Sequence, residues 1–181
     1  QISLKENVSA ENEALHIIAM KADGSLRDAL SIFDQIVTFA GNKISYSDVI
    51  ENLNILDYDY YFKLTVAIEK EDISATLIIL NEIYEKGFDG HNFIIGLAEH
   101  YRNLLVCKDE RSASLLEVPE AIQQRFIDLS KEIDSPRILR TLMAISKTDT
   151  EFKSSKNQRL LIEVTLMLLC SLKQENEKKN P

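Results

Sequence analysis

Chain breakers are scarce in this sequence, with 5 Gly and 3 Pro among 181 residues. So little punctuation, beside abundant Leu, Ile, Ala, Glu and Lys, points to helices joined by short loops. Cysteine is scarce too. Cys107 and Cys170 both lie in apolar helical text and lack metal-ligand spacing. With no signal peptide ahead of them, they are expected to be reduced, buried thiols of a cytoplasmic protein. His100 and Cys107 fall on nearly one side of a helix, but two ligands do not make a zinc site. Excess positive charge is missing as well. The formal net charge is -8, and no basic stripe or basic recognition helix appears. A helical DNA-binding regulator is therefore set aside, and this chain is not expected to hold DNA by itself.

Catalytic motifs are absent as well. There is no GxxxxGK[ST] phosphate loop, no HExxH, no paired-cysteine motif and no nucleophile elbow. His16 stands near Ser25 and Ser31 only along the chain. No catalytic residue and no metal ligand is assigned. The longest apolar run, Leu160 to Cys170, is too short to cross a bilayer and contains Glu163. A helix apolar on nearly every face must be covered on every face. Either it runs through the middle of its domain, or part of it meets another subunit.

Helical periodicity and capping residues organise what is present. Ser9 reads as the N-cap of a helix over 10–22, with Ala14, Leu15, Ile17, Ile18 and Met20 inward. A second helix covers 25–40, stopped by Gly41-Asn42 as a left-handed cap would stop it. Lys43-Ile44-Ser45 is a short extended link, and Ser45 with Asp48 starts a helix through about Leu53. Asn54 to Asp57 is the best domain boundary. Beyond it, helices are expected over 58–70, from Asp72 to Lys86-Gly87, from Asp89 or Gly90, over 119–133, over 136–152, and around the apolar run. Tyr58, Tyr60, Tyr61 and Phe62 open the first of these. With acidic neighbours and only Lys63 among them, they are expected to pack between two domains rather than to stack bases.

The most specific stretch is Asp23-Gly24-Ser25-Leu26-Arg27-Asp28-Ala29-Leu30-Ser31. Gly24 and Ser25 suit a helix start. Leu26, Ala29, Leu30, Phe33, Ile36, Val37 and Ala40 then recur at helical spacing. Arg27 thus sits in a first turn, where the helix is already electropositive. An anion nearby would offset that. It is either Asp23 or Asp28, as a weak local pair, or a phosphate, which helix N-termini and arginine forks both favour.

Residues 20–35, carrying the Gly-Ser-Leu-Arg-Asp-Ala-Leu-Ser run, resemble the lid of the bacterial clamp-loader ATPases, the DNA polymerase III gamma/tau family. Residues 44–56 resemble the helix that closes that lid, and Asn157-Gln158-Arg159-Leu160-Leu161-Ile162-Glu163 the start of the last collar helix. Lys156 and Gln158 stand where the family often has prolines. The resemblance runs from about Asn7 to Leu172. It implies an all-α fold: a small helical lid bundle over 1–56, truncated at its N-terminal side, a larger helical collar bundle over 57–174, and a polar tail over 175–181. Residues 1–8 would be the tail of the lid's first helix, in a piece of a longer protein. Arg27 would be the family's phosphate-sensing arginine, presented by Gly24 and Ser25. The longer parent would be an ATPase subunit of the DNA polymerase III holoenzyme. ATP with magnesium would belong to that parent, with none expected to bind this chain alone. Partners would be other clamp-loader subunits (gamma/tau copies, delta, delta prime) through the collar. The sliding clamp and primed DNA would be reached only through the full complex, and no membrane is expected. The rival reading is a free-standing helical interaction module with no nucleotide role.

Overall fold

A computed structural model of the chain describes residues 8–172. The expectations for 1–7 and for the tail over 175–181 lie outside the described residues. Among the described residues there are ten helices and one pair of two-residue strands, so the fold is all-α. The chain divides into two compact units. The first takes the described residues up to Ile55 with Glu117–Pro119. The second takes Leu56–Leu116 and the described residues from Glu120 onward.

The first unit holds β1 (Ser9–Ala10), α1 (Asn12–Lys21), α2 (Leu26–Ala40), β2 (Lys43–Ile44) and α3 (Tyr46–Asn52). Ala14, Ile17, Ile18, Phe33, Ile36, Ile44 and Val49 form its core. Ser9 is not a helix cap. Ser9 and Ala10 pair in parallel with Lys43 and Ile44, and the Ser9 N–H donates to the Asn42 carbonyl at 2.8 Å. A partner remote in sequence takes that backbone into a bridge, and the helix starts later, after Glu11. Leu15 is half-buried and Met20 exposed, so the inward stripe of α1 is narrower than expected. Leu26 is a larger departure, at 70% exposed. It opens α2, and side chains on the first turn lean past the helix end, away from the neighbours that bury Phe33 and Ile36. The link helix α3 starts as expected. The Ser45 hydroxyl accepts from the Asp48 N–H, and the Asp48 carboxylate accepts from the Ser45 N–H at 2.8 Å. The Ser45 hydroxyl, which donates to the Asp48 carboxylate at 2.6 Å, and the Ser45 N–H together hold that carboxyl below its ordinary range.

The second unit holds α4 (Tyr58–Glu69), α5 (Ile73–Glu85), α6 (Gly90–Val106), α7 (Glu110–Ala113), α8 (Glu120–Glu132), α9 (Ser135–Phe152) and α10 (Gln158–Ser171). Six of them are capped by an Asp or Asn side chain that accepts a first-turn N–H: Asp57, Asp72, Asp89, Asp109, Asp134 and Asn157. The starts are therefore set locally, and packing sets the rest. Leu64, Ile68, Leu80, Phe93, Ile94, Leu97, Tyr101, Phe126, Ile138, Ile145, Ile162 and Leu166 are buried. Tyr61 and Phe62, expected between domains, are core residues of the second unit itself. Tyr61 stacks on Phe93 at 6.1 Å, and Phe62 meets Phe126 at 4.9 Å. Gly96 is what admits Tyr61, because a Cβ there would lie 2.1 Å from the tyrosine oxygen.

Candidate functional site

Arg27 is placed by a two-residue turn followed by a cap. Asp23 and Gly24 both take positive φ, 46° and 78°. That conformation is easy for glycine and tolerable for Asp. It reverses the chain after α1 and brings the Ser25 N–H to the Ala22 carbonyl at 2.8 Å. Ser25 then caps α2, its hydroxyl accepting from the Asp28 N–H at 3.3 Å. The N–H groups of Leu26 and Arg27 have no acceptor within the helix, as in any first turn. Gly24, Arg27, Asp23 and Asp28 are exposed, and Ser25 is half-buried.

The Arg27 guanidinium makes no hydrogen bond or ion pair with any described residue. Neither Asp23 nor Asp28 folds back on it. Asp28 follows it directly and projects about 100° around the helix, and Asp23 lies in the turn below. A positive fork thus stands in solvent beside open backbone donors. An anionic oxygen fits that chemistry.

A second surface lies on α10. Ile162, Thr165, Leu166, Leu169 and Cys170 are buried, whereas Leu160, Val164, Met167 and Leu168 stay exposed, Leu160 and Val164 by about half. The helix is central on one side only. Its outward stripe of Leu160, Val164, Met167, Leu168 and Ser171 carries no charge. Glu163, beside that stripe, is held by Arg159 at 2.9 Å.

Two buried polar residues take places that helical periodicity alone does not fix. His100 sits among Tyr61, Phe62, Tyr101 and Phe126, with ring centroids 4.8 to 5.9 Å away. Neither ring nitrogen has a partner. Burial, aided by the Arg125 charge, pushes its pKa down to about 3. Arg137 is 3% exposed and bonds Glu69 at 3.1 Å. A signal for it existed: Arg137, Thr141, Ile145, Thr148 and Phe152 recur at helical spacing, which puts an arginine on the apolar face of α9. Among the described residues no group of three His, Cys, Asp or Glu could hold a metal ion. No described helix is long and apolar enough to cross a membrane.

Comparison with known proteins places these features in context. Residues 1–42 match the family described as DNA polymerase III clamp loader subunit, ATPase lid domain. Residues 44–180 match DNA polymerase III subunits gamma and tau domain III. The chain is 27% identical to DNA polymerase III subunit tau of Bacillus subtilis over 91% of its own length and 29% of that protein. It is 24% identical to the tau subunit of Escherichia coli over 90% of its length and 25% of that protein. The chain thus spans under a third of the length of either of these two relatives. In structure it resembles the Bacillus subtilis DNA clamp loader delta protein, with TM-score 0.56 and 18% identity over 93% of this chain and 53% of that one. That likeness concerns the fold.

Proposed function

The chain belongs to the DNA polymerase III gamma and tau family of clamp-loader subunits, and from that premise we propose that it is the ATP-sensing lid and the assembly collar of such a subunit. The unpaired Arg27 guanidinium at the mouth of α2 carries this reading. Residues 1–56 are the lid and 57–174 the collar. Arg27, presented by Gly24 and Ser25, contacts the terminal phosphate of ATP held with magnesium elsewhere in the parent. The nucleotide supplies the anionic oxygens, and this chain supplies one guanidinium and two open N–H groups. Exposed ionic contacts of this kind are weak and screened, so Arg27 reads the nucleotide rather than retaining it. Differential binding in two lid positions makes that contact a switch. The outward stripe of α10 assembles the subunit with other clamp-loader subunits, namely gamma/tau copies, delta and delta prime. The complex then loads the sliding clamp on primed DNA in the cytoplasm. An interaction module without a nucleotide role has no account of the lid match over 1–42.

Arg27→Ala in the full-length parent tests the reading. ATP-dependent clamp loading should fall while co-purification of the other subunits stays intact. Unchanged ATP-dependent loading would refute the role of Arg27.

A further inference from the structure

Helix α10 ends with a deficit. The last four carbonyls of any α-helix lack intrahelical partners, and that end carries partial negative charge. Its last turn has no basic residue to answer this. The Leu169 carbonyl keeps only a long 3.4 Å bond from the Leu172 N–H, and a charged donor reaches it from another helix. Arg137 of α9 donates through Nη2 to the Leu169 carbonyl at 3.1 Å and through Nε to Glu69 of α4 at 3.1 Å. One buried guanidinium therefore ties the C-terminal turn of α10 to α4 and α9. Leu169 directly follows the exposed Leu168 and lies two residues after Met167.

Stability alone is a poor reason for this arginine. Burying an ion pair costs about as much as it returns, and an apolar side chain often serves as well. The Nη1 group is buried without a partner, an added cost. Packing does not back the guanidinium fully either. A half-open pocket of about 320 Å³ borders it, lined by Val66, Leu129 and Ile133 and by the charged Lys70, Glu132 and Asp134. An apolar residue in its place would supply no directed bond to a carbonyl. We propose that Arg137 is a positioning residue: it holds the end of α10 in register and so presents Val164, Met167 and Leu168 to an apolar helix face of a neighbouring clamp-loader subunit. This rests on the assembly role of α10 argued above.

Three variants of the full-length parent test it. Arg137→Met with Glu69→Leu removes both charges, so no lone buried charge remains. Arg137→Lys keeps the charge and loses the fork. Leu168→Glu alters the outward stripe alone. Hydrogen exchange over 166–172 and sedimentation of the subunit with its partners are read for each. The double variant should keep its urea midpoint, exchange at least about tenfold faster over 166–172, and associate about tenfold more weakly; Arg137→Lys should fall between. A folded double variant with unchanged exchange and association overturns the positioning role. If the double variant does not fold, unchanged exchange in Arg137→Lys does the same. Unchanged association in Leu168→Glu would instead sink the assembly role of α10, whatever the exchange data show.

Discussion

Acidification from pH 7 to pH 5 should destabilise the second unit by about 2 kcal/mol through His100 alone. The His100 ring is fully enclosed, neither of its nitrogens has a hydrogen-bond partner, and the Arg125 charge lies nearby. Its folded pKa is therefore pushed from the ordinary 6.5 down to about 3. Above 6.5 neither the folded nor the unfolded chain binds the proton, and the neutral ring fits its box without loss. Between 6.5 and 3 only the unfolded chain binds it, so stability drops by about 1.4 kcal/mol per pH unit. The loss saturates below 3 at about 5 kcal/mol, a large part of the 5–15 kcal/mol that holds a typical domain. Urea titrations followed by far-UV circular dichroism at both pH values would measure it; the chain has no tryptophan to report by fluorescence. His100→Phe is the comparison, because phenylalanine suits the box and does not titrate. Carboxylates, His16 and His91 are common to both proteins and cancel in the difference. The variant should lose about 2 kcal/mol less than the parent between pH 7 and pH 5. Equal losses in the two proteins would show that His100 is reached by solvent or finds an acceptor, and would refute the reasoning.

Arg27→Ala should leave the stability of the first unit within about 0.5 kcal/mol of the parent, since an exposed side chain without a partner has little to lose; a larger drop in calorimetry would mean a hidden structural contact. Gly96→Ala should cost about 1–3 kcal/mol of overpacking, and Tyr61→Phe in the same chain should recover part of it by removing the oxygen 2.1 Å from the new Cβ. Additive losses in urea unfolding would contradict that. Ser45→Ala should cost the first unit about 1 kcal/mol, because one change removes a first-turn acceptor and half of a capping box; no change in its urea midpoint would show the cap to be idle.

What the sequence made legible was mostly what is decided within a few residues. Ser25, Ser45, Asp72 and Asp89 cap helices where their spacing to the next apolar run says they should. Gly41 ends α2 with φ of 76°, although its ψ of -149° differs from a left-handed helical cap. Ser9 misled because its N–H partner, Asn42, lies far along the chain. Leu26 misled because periodicity assumes a neighbour along the whole helix, and the first turn of α2 overshoots its own. The even apolar text of α10 could not say which half would be covered. For the candidate site, the address of Arg27 in a first turn was readable. Its lack of a carboxylate partner was not, because that depends on side-chain directions around a turn of two positive-φ residues. The buried roles of His100 and Arg137 depend on which helices meet them, and that is decided by tertiary packing.

The short parallel bridge in the first unit has a mechanical consequence. Ser9 and Glu11 donate to Asn42 and Ile44, and the Glu11 carboxylate accepts from the Tyr46 N–H at 2.7 Å. The strand that enters the α1–α2 hairpin is thus buckled to the strand that leaves it. A pull on the chain at Val8 is therefore shared with the root of α3 through these bonds, and is not carried by the loop bearing Arg27 alone. The hairpin is thereby closed at its base and packed on α3 through the buried Val49, with the guanidinium at the end remote from the bridge.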